Sequence, residues 1–205
     1  MKLFWSSRSP FVRKVMIVAH ELGIAERIER VRTVVHPAKP NAEVMAFHPM
    51  SKIPALISDD GQAIYDSRVI CEYLDDRFGN GALLPASGPR RWQVLTRHSM
   101  IDALTETCVM WNGERRKPQE RRDEQIVAAS GVRVTSGLNA LEADIAFHEE
   151  DGLTLAHAAA ASALAYLDFR LDTFAWRERR PRLARWFEEF SERPSFVETA
   201  FADTY

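Results

Sequence analysis

The sequence predicts an α/β domain in the order β-α-β-α-β-β-α, followed by an all-helical bundle. Over the first eighty residues, short β-branched or apolar runs alternate with stretches of helical periodicity. From residue 89 onward only helical periodicity remains. Between the halves lies GNGALLPASGP (79–89), rich in glycine and proline and aperiodic. The expected organisation is therefore a first domain over 1–79, a linker over 80–88 and a helical domain over 89–205.

The elements follow in order. KLFW (2–5) suits a short buried strand. Phe11, Val12, Val15, Met16, Ala19 and Leu22 then form a helical stripe that stops at Gly23. RIERVRTVV (27–35) alternates and is β-branched, which predicts a second strand, and HPAKPN (36–41) punctuates before a short helix over 41–47. ALIS (55–58) and QAIY (62–65) flank DDG, a hairpin signal with Gly61 available for positive φ. In DSRVICEYLDDRF (66–78) the apolar spacing is helical, with Asp66 or Ser67 as N-cap. The later helices are expected near 89–117, 119–149, 155–174 and 179–191, with a short piece at 194–202. LAHAAAASALAYLDFRL combines small residues with leucines, a composition suited to close approach at the centre of a bundle.

Composition narrows the function. Lys and Arg number 27 against 29 Asp and Glu, so the overall field attracts neither nucleic acid nor an anionic membrane. The basic runs 114–122 and 176–185 contain glutamates and read as solvated helical faces. Cys71 and Cys108 are the sole cysteines, without a CxxC, which suits a reducing cytoplasm. Arg8, Arg13 and Lys14 interrupt the N-terminal apolar run, so no signal peptide or membrane span is expected. The six histidines lack ligand spacing, and no metal or nucleotide is expected.

Three helix and strand starts carry chemistry. Ser9-Pro10 fits an N-cap followed by proline at the first helical position. Besides capping, a serine hydroxyl beside unpaired N–H groups and a positive dipole end can hold a thiolate. In FHPMSKIPAL (47–56), Ile53-Pro54 invites a cis peptide and leaves Ile53 at a strand's exposed start, where its main chain can pair with an extended ligand. In YDSRVICEYL (65–74), Asp66 and Ser67 can either cap the helix or grip the amine and carboxylate of a ligand.

Taken together, S-P-F-V-R-K, S-K-I-P-A-L and D-S-x-x-I-x-x-Y-L resemble the glutathione S-transferase family in order and approximate spacing. The likeness is to its bacterial-type cytosolic form with serine at the start of helix one, and it spans essentially the whole chain. It implies a thioredoxin-like first domain that binds glutathione as co-substrate, a helical domain lining a pocket for a small hydrophobic electrophile, and a cytoplasmic homodimer acting in detoxification. On that basis Ser9 orients the sulfur, with Ser7 and Ser6 as rivals. Ile53, behind cis-Pro54, pairs with the cysteinyl unit; Asp66 and Ser67 hold the γ-glutamyl end; Lys52 meets the glycyl carboxylate; and Val35 offers backbone contacts. Phe11, Met110 and Trp111, with Cys108 nearby, are the electrophile candidates. Where thioredoxin-like relatives place a redox cysteine, this chain has Ser9, which disfavours disulfide exchange there. The alternative is a transferase-fold glutathione-binding or regulatory protein with little or no turnover.

One position departs from the family pattern. At GLTLAHAAAA (152–161), Thr154 stands as N-cap, but the third residue on is His157 rather than an acid. Acid is expected to weaken this helix start, and His157→Asp to stabilise it by about 0.5–1 kcal/mol.

Overall fold

The computed structural model describes residues 1–148 and 152–203. It forms two compact units, one of Met1–Arg91 with Pro194–Tyr205, the other of Trp92–Arg193.

In the first unit β1 (Lys2–Trp5) lies at the centre of a four-stranded sheet of order β2-β1-β3-β4. Leu3 and Phe4 are both buried, as expected of a strand covered on its two faces. β2 (Glu29–Arg32) runs parallel to β1, while β3 (Ala55–Ile57) is antiparallel to it with Phe4 opposite Ala55. β4 (Ala63–Ile64) closes the hairpin, and Gly61 takes the positive φ of +85° that the turn requires. β2 is shorter than the expected 27–35 because residues 25–27 form a 3₁₀ turn and its partner β1 ends at Trp5.

The helix α1 (Pro10–Glu21) is buried nearly all round, Arg13 and Lys14 included, because it packs against α3 (Ser67–Leu74) and against a C-terminal helix described below. Between them in sequence lies α2 (Ala42–Met45), capped by Asn41. The expected helix over 66–78 divides: after Leu74 the turns widen over Asp75–Gly79 and end at Asn80, whose φ is +52°.

The segment expected to be a linker is anchored instead. The buried Asp75 carboxylate accepts the N–H groups of Leu83 and Leu84 at 3.0 and 2.8 Å, so residues 80–84 remain with the first unit. The other departure is at the C-terminus, where α9 (Pro194–Val197) and the residues after it group with the first unit rather than with the helices.

The second unit holds α4 (Pro89–Arg115, of which Trp92 onward belongs here), α5 (Glu124–Ala143), α6 (Ile145–His148), α7 (Leu155–Arg170) and α8 (Pro181–Ser191). The helix expected over 119–149 is interrupted because two aspartates cap new starts. Asp123 accepts from Gln125 and Ile126 N–H, and Asp144 accepts from Phe147 N–H while pairing with Arg97 at 2.7 Å. Residue 149 of that expected helix lies outside the described residues. Where α4 meets α5 the helices approach closely: a Cβ at Gly137 would fall 2.6 Å from Leu104 Cδ1, so the leucine tip would have to shift. From Leu155 to Leu167 every residue of α7 is buried, the pattern of a helix surrounded by others.

Candidate active site

The loop before α1 carries three serine hydroxyls with different commitments. Ser9 is the N-cap, its backbone extended at φ −91° and ψ 121°, and its Oγ accepts the Val12 N–H at 3.3 Å. Acting as acceptor leaves the Ser9 proton with no protein acceptor among the described residues. Ser7, by contrast, donates its proton to the Ala202 carbonyl at 2.9 Å. Ser6 is buried and its Oγ accepts the Arg8 N–H at 3.3 Å. No acidic side chain of α1 itself occupies its first turn, where the helix dipole places partial positive charge.

Ile53 precedes β3 and its main chain makes no hydrogen bond among the described residues, while its side chain packs with that of Val35 on Phe4, Val44 and Ala55. The Ile53–Pro54 and Tyr65–Asp66 peptides are both cis. Pro54 is buried and Lys52 exposed.

At the start of α3, Asp66 is the N-cap and Ser67 the first helical residue, now buried. Asp66 accepts from the Arg68 N–H at 3.0 Å and lies 3.4 Å from its guanidinium. Burial pushes the Asp66 carboxyl up, but the Arg68 N–H, the Arg68 charge and the Lys14 ammonium together hold it below the usual carboxylate range. The His48 ring stacks on Tyr65 at 4.2 Å between centroids and feels the charges of both Lys52 and Asp66. The fold thus brings Lys52 and Asp66 within electrostatic reach of His48, stacked on Tyr65, two rings that sequence reasoning passed over. It also missed Lys14, noted in the sequence only as a break in the N-terminal apolar run, which is buried and acts on Asp66.

The electrophile candidates divide between the units. Phe11 is half-buried on α1. On α4, Met110 is 44% exposed, whereas Trp111 is buried, edge-on to Phe174 and against Gly131. Consecutive residues of a helix point about 100° apart, so this pair does not form one apolar face.

Comparison with known proteins agrees with the geometry. The glutathione S-transferase N-terminal domain family matches residues 8–77, a span that begins after Ser6 and Ser7, and the C-terminal domain family matches 124–189. A glutathione transferase family member from Pseudomonas fluorescens Pf-5, solved with bound glutathione, is 36% identical over 98% of both chains with a TM-score of 0.93. This chain belongs to the glutathione S-transferase family.

Two further relatives extend the likeness over the full length. A glutathione S-transferase from Methylobacillus flagellatus, solved with glutathione, is 33% identical over 98% of this chain and 99% of that one, at a TM-score of 0.86. The uncharacterized GST-like protein YibF of Escherichia coli is 29% identical over 97% of this chain and 98% of its own length. Within this glutathione S-transferase fold neither cysteine is placed for redox work: both are buried, and burial pushes the Cys108 thiol up to about 12. Among the described residues no cluster of His, Cys, Asp and Glu could hold a metal ion, and no helix is long and apolar enough to cross a membrane.

Proposed function

We propose that this chain is a glutathione transferase that activates the thiol of glutathione for attack on a small hydrophobic electrophile. One conjunction carries the reading. Ser9 keeps a proton to donate at an acid-free helix start, in a chain 36% identical over its length to a relative solved with glutathione. The Ser9 O–H donates to the sulfur, and the dipole of α1 favours its anionic form. Each unit by which the thiol pKa falls is worth about 1.4 kcal/mol. Holding the two reactants together contributes the larger share of the rate.

The remaining contacts follow from the groups on hand. Ile53 pairs its unengaged N–H and C=O with the cysteinyl unit, behind Pro54. Asp66 takes the γ-glutamyl amine, sharing its charge with Arg68, while Ser67 faces the adjoining carboxylate. Lys52 supplies an exposed ammonium for the glycyl carboxylate, and Val35 a backbone contact. Within the first unit, Phe11 is the apolar surface offered to the electrophile. No nucleic acid or membrane enters the reading, which includes a cytoplasmic homodimer; a monomer in light scattering at micromolar concentration would remove the dimer.

Calorimetry with glutathione and turnover across a panel of aryl halides, epoxides, peroxides and enones test the proposal. Binding with turnover that collapses in Ser9→Ala is expected. Retention on immobilised glutathione without turnover on any member of the panel would leave a binding or regulatory protein, and no affinity at millimolar glutathione would end both readings.

A further inference from the structure

The serine loop is held by the other end of the chain. Ser7 and Ala202 exchange two hydrogen bonds: the Ser7 O–H to the Ala202 carbonyl at 2.9 Å, and the Ala202 N–H to the Ser7 carbonyl at 3.3 Å. One residue further on, the Arg8 guanidinium donates to the Asp203 carbonyl, and its Nε lies 3.3 Å from the Asp203 carboxylate. Deeper in the unit, Arg13 is 6% exposed and donates to the Phe196 carbonyl at 3.0 Å. Its guanidinium carbon lies 4.1 Å from the Phe196 ring centroid and 4.6 Å from that of Phe201. Behind these, the Ser195 hydroxyl donates to the Glu21 carboxylate at the far end of α1. Residues 195–203 therefore grip α1 and its entry loop at Ser7, Arg8, Arg13 and Glu21.

A hydroxyl carries one proton, and a carbonyl oxygen and a thiolate compete for it. We propose that the C-terminal segment is a positioning element that selects the serine: by keeping the Ser7 proton on the Ala202 carbonyl and pinning Arg8, it leaves Ser9 to serve the sulfur. The chemistry of this inference rests on the transferase reading. Its mechanical half, the restraint of loop 6–9, does not.

The test uses deletion of residues 202–205 and, as a milder variant, Ala202→Pro, which removes one N–H without shortening the chain. The readouts are the ultraviolet thiolate absorbance of bound glutathione against pH, the separate kcat and KM, and amide hydrogen exchange over residues 6–9. In the Ser9 background, release of the tail is expected to lower kcat/KM about tenfold, mostly in kcat, and to move the thiolate titration to higher pH. In the Ser9→Ala background, release is expected to restore part of the lost thiolate signal, and adding Ser7→Ala to abolish that recovery. An unchanged pH titration in the deletion overturns the positioning role. A fall in kcat/KM without Ser7-dependent recovery overturns the selection between serines. Should the intact protein bind no glutathione, the transferase reading fails on its own, and hydrogen exchange judges the clamp: faster exchange at 6–9 on deletion sustains the restraint, and unchanged exchange removes it.

Discussion

Among the described residues two helices begin at a hydroxyl N-cap, and they are finished in opposite ways. At α1, Ser9 accepts one N–H, stays half-buried and retains its proton. At α7, Thr154 is buried and its N–H donates to His157 Nδ1 at 3.0 Å, with the Thr154 hydroxyl 2.8 Å from the same nitrogen. Since Nδ1 accepts, Nε2 carries the ring proton and gives it to the Phe147 carbonyl at 3.0 Å. The ring stacks on Phe147 at 4.5 Å and tilts against Trp186. One helix start leaves hydrogen-bonding capacity for a ligand; the other uses its capacity on the fold. The difference separates an uncommitted cap from a structural joint where residue type alone does not.

Substitution at the two caps gives the sharpest separation. Ser9→Ala is expected to cost about 10²–10³-fold in kcat, the scale of losing one donor to a developing anion, with glutathione affinity little changed. The accompanying loss of a cap costs about 1 kcal/mol of stability. Turnover within threefold of the parent would show that Ser9 only caps α1.

His157→Asp comes next, and the structure reverses the sign expected from sequence. Aspartate keeps the acceptor for Thr154 N–H but loses the donor to Phe147 and the packed ring. Urea unfolding should show a loss of about 2 kcal/mol, with kcat of the folded fraction unaltered. A rise in stability would mean that the aromatic stack contributes little.

Burial lowers His48, and Lys52 adds to this, against its backbone hydrogen bond and Asp66. A histidine depressed in the folded chain takes its proton more readily when unfolded. Stability at this site is therefore intact above the ordinary value of 6.5 and is lost as pH falls below it. Chemical denaturation at pH 7.5 and 5.5 should show a decline that His48→Gln reduces; an equal decline in the variant would assign it elsewhere.

The smallest effect is expected at the thiols. With both cysteines buried and Cys108 pushed up to about 12, a thiol reagent should label neither until denaturant is added, and prior treatment should leave turnover unchanged. Labelling in the native protein with loss of activity would reopen a cysteine mechanism.

Local pattern made the strands, the hairpin and the helix starts legible. Ser9-Pro10, the DDG turn and the Asp66 cap are each specified within a few residues, which is the range over which caps and turns act. Contacts between distant positions were not legible. The commitment of the Ser7 hydroxyl and the grouping of residues 194–203 with the first unit depend on segments nearly two hundred positions apart, and the burial of Lys14 on the packing of α1 against later helices. His157 fell between these cases: its place in the cap was readable, but its second partner, Phe147, was not. Asp123 and Asp144, by contrast, are cap-type residues within an apparently continuous helix and were visible breaks that periodicity overrode.

Because the first unit is completed by residues 194–203, the helical unit is an insertion within it, and synthesis must run through the insertion before the host can close. The Arg13 guanidinium meets the Phe196 carbonyl across 183 positions. At ordinary ribosomal speeds, roughly 10–40 seconds separate their emergence. During that interval a nascent chain carries the Ser9 hydroxyl on a loop whose anchoring segment has not yet been translated.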